Sequence, residues 1–209
     1  MTDLLTILIF GGVAVFLGLR LYSVLGQDDG QLENPGTSPQ RSTDVLGQRT
    51  QSHLRPAFEG PAAAGLEDIA SADTGFDPHQ FIEGSRSAYG MIVQAFASGD
   101  KDALRSLLSS KVFDRYSAAI DAREERKETV KTEIDRISKA EIVEASQTGN
   151  LASVKVRFHA DMATETLDKY GVVIAGSLEK LTHVGEDWVF ERHTDNSDPN
   201  WVLASVATA

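Results

Sequence analysis

The sequence predicts an α+β domain, with helices first and then a run of antiparallel strands, standing behind a membrane-spanning helix and a polar linker. Three observations predict this. An uncharged run opens the chain, a stretch rich in Pro and Gly follows it, and apolar periodicity changes from 3.6 to 2 partway through the remainder. The 209 residues suffice for one ordinary domain plus extensions, and 41% hydrophobic with 24% charged residues is a globular composition.

Leu4 to Leu19 carries no charge, and beyond Arg20 the apolar character continues to about Leu25. With Arg20 snorkelling to the interface, about 22 residues at roughly 1.5 Å each give about 33 Å, enough to cross a hydrocarbon core. Only Met1, Thr2 and Asp3 precede the run and no small-x-small cleavage site follows it, so residues 1–25 read as an uncleaved anchor. The nearest cations, Arg20, Arg41, Arg49 and Arg55, all follow the run, which predicts a C-terminal body in the cytoplasm or an equivalent compartment.

Residues 26–75 hold four of the six prolines (Pro35, Pro39, Pro56, Pro61) and seven glycines with almost no apolar periodicity. Such a segment buries too little to offset its ordering entropy and is expected to be a disordered linker. A flexible chain of about 50 residues has an end-to-end distance of roughly 35–42 Å. Two islands interrupt it, residues 53–58 and Leu66-Glu67-Asp68-Ile69, readable as partner motifs or as a lead-in to the first helix.

Order is expected from residue 76 to 209. Asp77-Pro78 is a helix start, with Asp as the cap and Pro in the first turn. Phe81, Ser85, Tyr89, Ile92, Val93 and Phe96 form an apolar stripe on a helix ending at Gly99. Asp100 caps a short second helix carrying Leu104, Leu107 and Leu108. A third, opened by Ser109 or Ser110, places Val112, Phe113, Tyr116 and Ile120 on one face and runs into Arg123–Lys127, read as a solvated terminus.

Thereafter Val154, Val156, Phe158, Ala160 and Met162 alternate with polar residues, the pattern of a half-buried strand. An earlier strand is expected over Ile134–Ala145, ending at Thr148-Gly149-Asn150. Later ones are expected over Tyr170–Thr182, Trp188–His193 and Trp201–Val206, with a turn at Gly185-Glu186-Asp187.

A net charge of −11 excludes a phosphate-neutralising surface, so no nucleic acid is expected. The chain has no Cys, and its five His residues show no i,i+4 pair, so neither a metal nor another cofactor is expected. His159 and Asp161 fall opposite the apolar set of their strand, and no catalytic residue is assigned.

With the elements in this order, the strings AFASGD at 95–100, LRSLLSSKVF at 104–113 and above all WVFERHTDNSDPNW at 188–201 resemble the Tim44-like domain family over about residues 76–209. The anchor and polar linker resemble its bacterial, membrane-anchored (TimA-type) members, which implies a bacterial inner membrane with the body on the cytoplasmic side. The resemblance implies a cone-shaped fold related to nuclear transport factor 2, built on a strongly bent antiparallel sheet. It also implies a membrane-side scaffold in protein transport or envelope biogenesis, with a protein partner rather than a substrate. Mitochondrial members tether a chaperone motor to a translocase; the transmembrane run and linker here depart from that type. In such a fold Phe76, Ile82 and Met91, outside the main stripe, together with Tyr170 and Trp201, are the candidates for a groove that receives a partner or an apolar ligand. An enzyme of the ketosteroid-isomerase type is the least favoured reading, because it requires an inward carboxylate.

Overall fold

The polypeptide condenses around the stripe read from its first long helix. The structure, a computed structural model, describes residue 58, residues 60–196 and residues 198–209. These belong to one unit spanning Ala57–Ala209. The elements are α1 (Ala63–Ala72), α2 (Pro78–Ser98), α3 (Lys101–Leu107), α4 (Ser110–Glu125), β1 (Thr129–Thr148), β2 (Leu151–Leu167), β3 (Val173–His193) and β4 (Val202–Thr208). The expected span at residues 1–25 lies outside the described residues. Among the described residues no helix is long and apolar enough to cross a membrane.

Local chemistry sets the helix ends. The Asp77 carboxylate accepts from the Gln80 amide at 2.9 Å, and Asp100 accepts from Ala103 at 2.9 Å, each satisfying a first-turn donor. Gly99 closes α2 in the left-handed conformation at φ +80°. The stripe lands inward: Phe81, Ser85, Tyr89, Ile92 and Phe96 are buried, with Val93 at its half-buried edge.

The four strands form an antiparallel meander in the order β1-β2-β3-β4. Val154, Val156, Phe158 and Ala160 are fully buried, as the alternation predicts. Register shifts along β1 and near Met162 bend the sheet around the helices. The chain is thus α+β, with helices on one face of a curved antiparallel sheet. Two side chains of α2 fasten it to the backbone of β1: Arg86 Nη1 donates to the Ile137 carbonyl at 3.1 Å, and Gln94 Nε2 to Thr132 at 3.0 Å.

Four expectations need correction. The segment expected as linker up to residue 75 contains α1, whose Leu66, Ile69 and Ala70 are buried against β1, so folded structure begins before residue 76. Helix α1 lies so close to the sheet that a Cβ at Gly65 would stand 1.8 Å from the Ala145 carbonyl oxygen. The first strand runs from Thr129 to Thr148, longer at both ends than expected. The turn expected at Gly185-Glu186-Asp187 does not form: β3 passes straight through, paired with β2 at all three positions. Arg157 explains part of this, donating to both Asp187 carboxylate oxygens at 2.7 and 2.8 Å across the strands. Finally, Arg123 is not solvated. It is buried beneath the end of α2 and donates from Nη2 to the Phe96 carbonyl at 3.1 Å.

Candidate functional site

Helix α2 carries a second face beside its core stripe. Gln80, Gly84, Ala88 and Met91 recur at four, four and three residues, so they stack on one side of the helix. Its middle two members are too small to cover the surface between them. A Cβ at Gly84 would meet nothing within 4 Å. That face is the floor of a groove of about 370 Å³. Asp73 and Phe76 from the α1–α2 connection, Phe190 and Arg192 from the end of β3, and Pro199-Asn200-Trp201 from the β3–β4 connection complete its walls.

The walls are held by an aromatic cluster. The Trp201 ring packs edge-on to Phe81 at 4.9 Å between centroids and lies 5.8 Å from Phe76, while Phe81 meets Phe190 edge-on at 6.0 Å. Each such contact contributes about 0.5–1.5 kcal/mol beyond the area buried. The groove's cation is Arg192, which pairs with Asp73, lies 5.3 Å from the Trp201 centroid and donates from Nη1 to the Pro199 carbonyl at 3.5 Å. Its Nε is buried and finds no acceptor among the described residues. One side chain therefore ties α1, the end of β3 and the final loop together.

The W-x-F-x-R string acquires a physical meaning here. Residues 188, 190 and 192 alternate with 189 and 191 on β3, so all three point at the helices. Trp188 packs on Tyr89 at 4.6 Å, Phe190 on Phe81, and Arg192 on Trp201.

Of the five residues singled out from sequence, Phe76, Met91 and Trp201 line the groove and are brought together. Ile82 is half-buried on α2 and is not among the lining residues. Tyr170 stands just before β3, at the end opposite Phe190 and Arg192, and is 77% exposed. The small residues Gly84 and Ala88 were missed. Their signal was present, one stripe away from the core set, but a helix wheel reads small residues as filler.

A carboxylate does enter the interior. Glu186 accepts from the Trp188 indole Nε1 at 3.0 Å and from the Tyr89 hydroxyl at 3.4 Å. Burial raises the Glu186 carboxyl above its ordinary value, and the two donors only partly offset this. Burial, followed by the Glu186 charge, pushes the Tyr116 phenol up to about 12, and the Tyr89 phenol is raised by the same two causes. None of the three is among the groove's lining residues.

On the outer face of the sheet the register sets Asp161 opposite His183 and His159 opposite Gly185. The Asp161 carboxylate meets His183 Nδ1 at 2.5 Å and Arg136 Nε at 2.7 Å, and these contacts hold it below the usual carboxylate range. The two imidazoles stack at 5.9 Å. His159 and Asp161 thus lie on the face opposite the apolar set, as expected, but both are half-buried there rather than open to solvent.

Solved structures similar to the chain include the intermembrane space region of the chloroplast protein ARC6. That pair is 8% identical with a TM-score of 0.45, covering 61% of this chain and 95% of that one. A putative dehydratase of the NTF2-like family from Streptomyces avermitilis is 15% identical with a TM-score of 0.36, covering 64% and 99%. A conserved protein from Planctomyces limnophilus is 13% identical with a TM-score of 0.35, covering 63% and 99%. None of the curated proteins matches the chain significantly. The family model for the Tim44-like domain matches residues 62–208, from the residue before α1 to the last residue of β4. The chain belongs to the Tim44-like domain family.

Proposed function

We propose that this chain is a membrane-tethered adaptor whose groove receives an apolar segment of a protein partner in protein transport or envelope biogenesis. The groove is the observation that carries the reading. It has an exposed Met at one end, a Phe/Trp wall, a floor of small residues and a charged rim of Asp73, Asp77 and Arg192. Small residues let another backbone approach closely, and Met and aromatic side chains adapt to varied apolar anchors.

The tethering part rests on the run at Leu4–Leu25, with the body expected on the cytoplasmic side of a bacterial inner membrane. A non-enzymatic role fits the placement of Glu186 and Tyr89, which bond to each other rather than facing the groove.

Site-specific photo-crosslinking from Met91 in the full chain tests this. A discrete adduct with a protein that vanishes in Gly84→Leu is expected. Recovery of only lipid or a small molecule, likewise lost in Gly84→Leu, would turn the reading to ligand binding in the same groove. For the topology, Ser38→Cys in this cysteine-free chain should resist a membrane-impermeant maleimide until cells are lysed.

A further inference from the structure

Seven large apolar side chains are exposed among the described residues, and five of them lie on one hairpin: Tyr170, Val172, Val173, Ile174 and Leu181. The other two, Met91 and Val206, lie elsewhere. The turn between β2 and β3 is well tied. Asp168 Oδ1 accepts from the Tyr170 amide at 2.8 Å and the Val172 amide at 3.0 Å, and the Gly171 amide donates to the Asp168 carbonyl at 3.0 Å. Its apolar residues are therefore held in solvent by a fixed backbone. Turns ordinarily carry polar residues, and an aromatic followed by three aliphatics at a tip is unusual.

Strand addition does not account for this surface. Among the described residues the outer edge of β3 lacks a strand neighbour from Val173 to Val184, since pairing with β4 begins at Glu186. That edge is broken, however. The β2 register jumps from Thr182 to Ser177, so Leu178–Leu181 bulge away with exposed Glu179 and Lys180 at the middle. A bulge with a charged pair is how proteins blunt an edge against another strand.

We propose that the tip, Tyr170–Ile174, inserts into the interface of a lipid bilayer. This rests on the membrane-tethered reading above. Its chemistry is that of an interfacial anchor. Lys169 Nζ lies 4.8 Å from the Tyr170 centroid at the apex of the turn, where the phenol ring enters the interface with Val172, Val173 and Ile174 behind it and the ammonium on its long stem reaches back to the headgroups. Local charge is balanced, Lys169 by Asp168 and Lys131 by Glu165 at 3.4 Å. With a chain charge of −11, insertion is driven by apolar burial rather than by attraction to anionic lipid. On the tethered reading the linker expected from the sequence leaves about 37 residues between the apolar run and α1, for which a reach of roughly 30–36 Å is expected. The tip and the groove stand at opposite ends of β3, so an inserted tip leaves the groove open to a partner.

The chain has no Cys, so Val172→Cys carries a single environment-sensitive fluorophore, with exposed Glu83→Cys as the control. Each full-length variant is reconstituted in phosphatidylcholine nanodiscs with and without doxyl-labelled lipid. The expected result is a blue shift and doxyl quenching at position 172 only, unchanged by salt or by anionic lipid, and lost when Ile174→Asp is added. Water-like emission at 172 in discs that co-elute with the chain overturns the proposal. If the chain fails to enter discs, the tether reading falls, and the same variants on phosphatidylcholine liposomes decide the tip alone by quenching or its absence. Quenching that requires anionic lipid overturns apolar-driven insertion. Cross-linking of position 172 between two chains without lipid quenching assigns the tip to a second copy and overturns it as well.

Discussion

Glu186 and Trp188, two residues apart on β3, are joined by a 3.0 Å hydrogen bond from the indole Nε1 to a carboxylate that burial holds above its ordinary pKa. The sign of the pH effect follows. A carboxyl with a raised folded pKa keeps its proton where the unfolded chain has released it, so its contribution to stability falls as pH rises from about 4.5 through the folded value. Glu186→Gln keeps an acceptor for Trp188 and Tyr89 without the charge. Its Tm should exceed that of the wild type at pH 7–8, and the gap should close on acidification toward pH 4.5. Thermal melts across that range check this; a gap that widens on acidification would refute it. The lowered carboxylates Asp161 and Asp187 act in the opposite sense but cancel in the comparison.

Gly65 touches the backbone of β1, and its Cβ position is occupied by the Ala145 carbonyl. Gly65→Ala, normally favourable in a helix, should here push α1 off the sheet and cost about 1–3 kcal/mol by urea denaturation. A neutral or stabilising result would mean that α1 is not docked as described.

Arg123 closes α2 from below, with its guanidinium on the Phe96 carbonyl and 5.7 Å from the Phe96 ring centroid. Arg123→Ala should cost about 2–3 kcal/mol, since a buried carbonyl loses a charged donor and packing is lost with it. Arg123→Lys should recover only part, because an ammonium lacks the planar face that lies toward the ring. Full rescue by Lys in chemical denaturation would contradict this.

Gly84 faces open groove, so Gly84→Leu should fold at least as well as the wild type, with a gain of up to about 1 kcal/mol from helix propensity. The same change fills the floor beneath Met91 and Trp201 and should abolish the Met91 adduct. A destabilised variant would show that the face is packed rather than open.

Much of the fold was legible because it is set locally. Asp77, Gly99 and Asp100 act within one turn of themselves, and the alternation from Val154 to Ala160 needs only a sheet with one covered face. The failures are non-local. Gly185-Glu186-Asp187 reads as a turn until β2 and β4 are placed on either side. Arg123 reads as solvent-facing until α2 ends above it. Leu66 and Ile69 read as an island in a linker until β1 lies beneath them. The candidate site divides the same way. Phe76 and Met91 were found as apolar residues outside the main stripe and Trp201 as an aromatic of the closing string, whereas Gly84 and Ala88 matter because of what they leave uncovered.

By itself the sequence determined that helices precede antiparallel strands, the caps at Asp77, Gly99 and Asp100, the α+β class and the family strings, all of which depend on neighbours within a few residues. Only the tertiary structure decided that Trp188 and Phe190 meet Tyr89 and Phe81 of α2 while Arg192 meets Trp201, that Glu186 turns inward and that Tyr170 is exposed at a tip. The physical reason is that burial and exposure belong to surfaces formed between elements, and pairing between distant segments settles which side chains those surfaces cover.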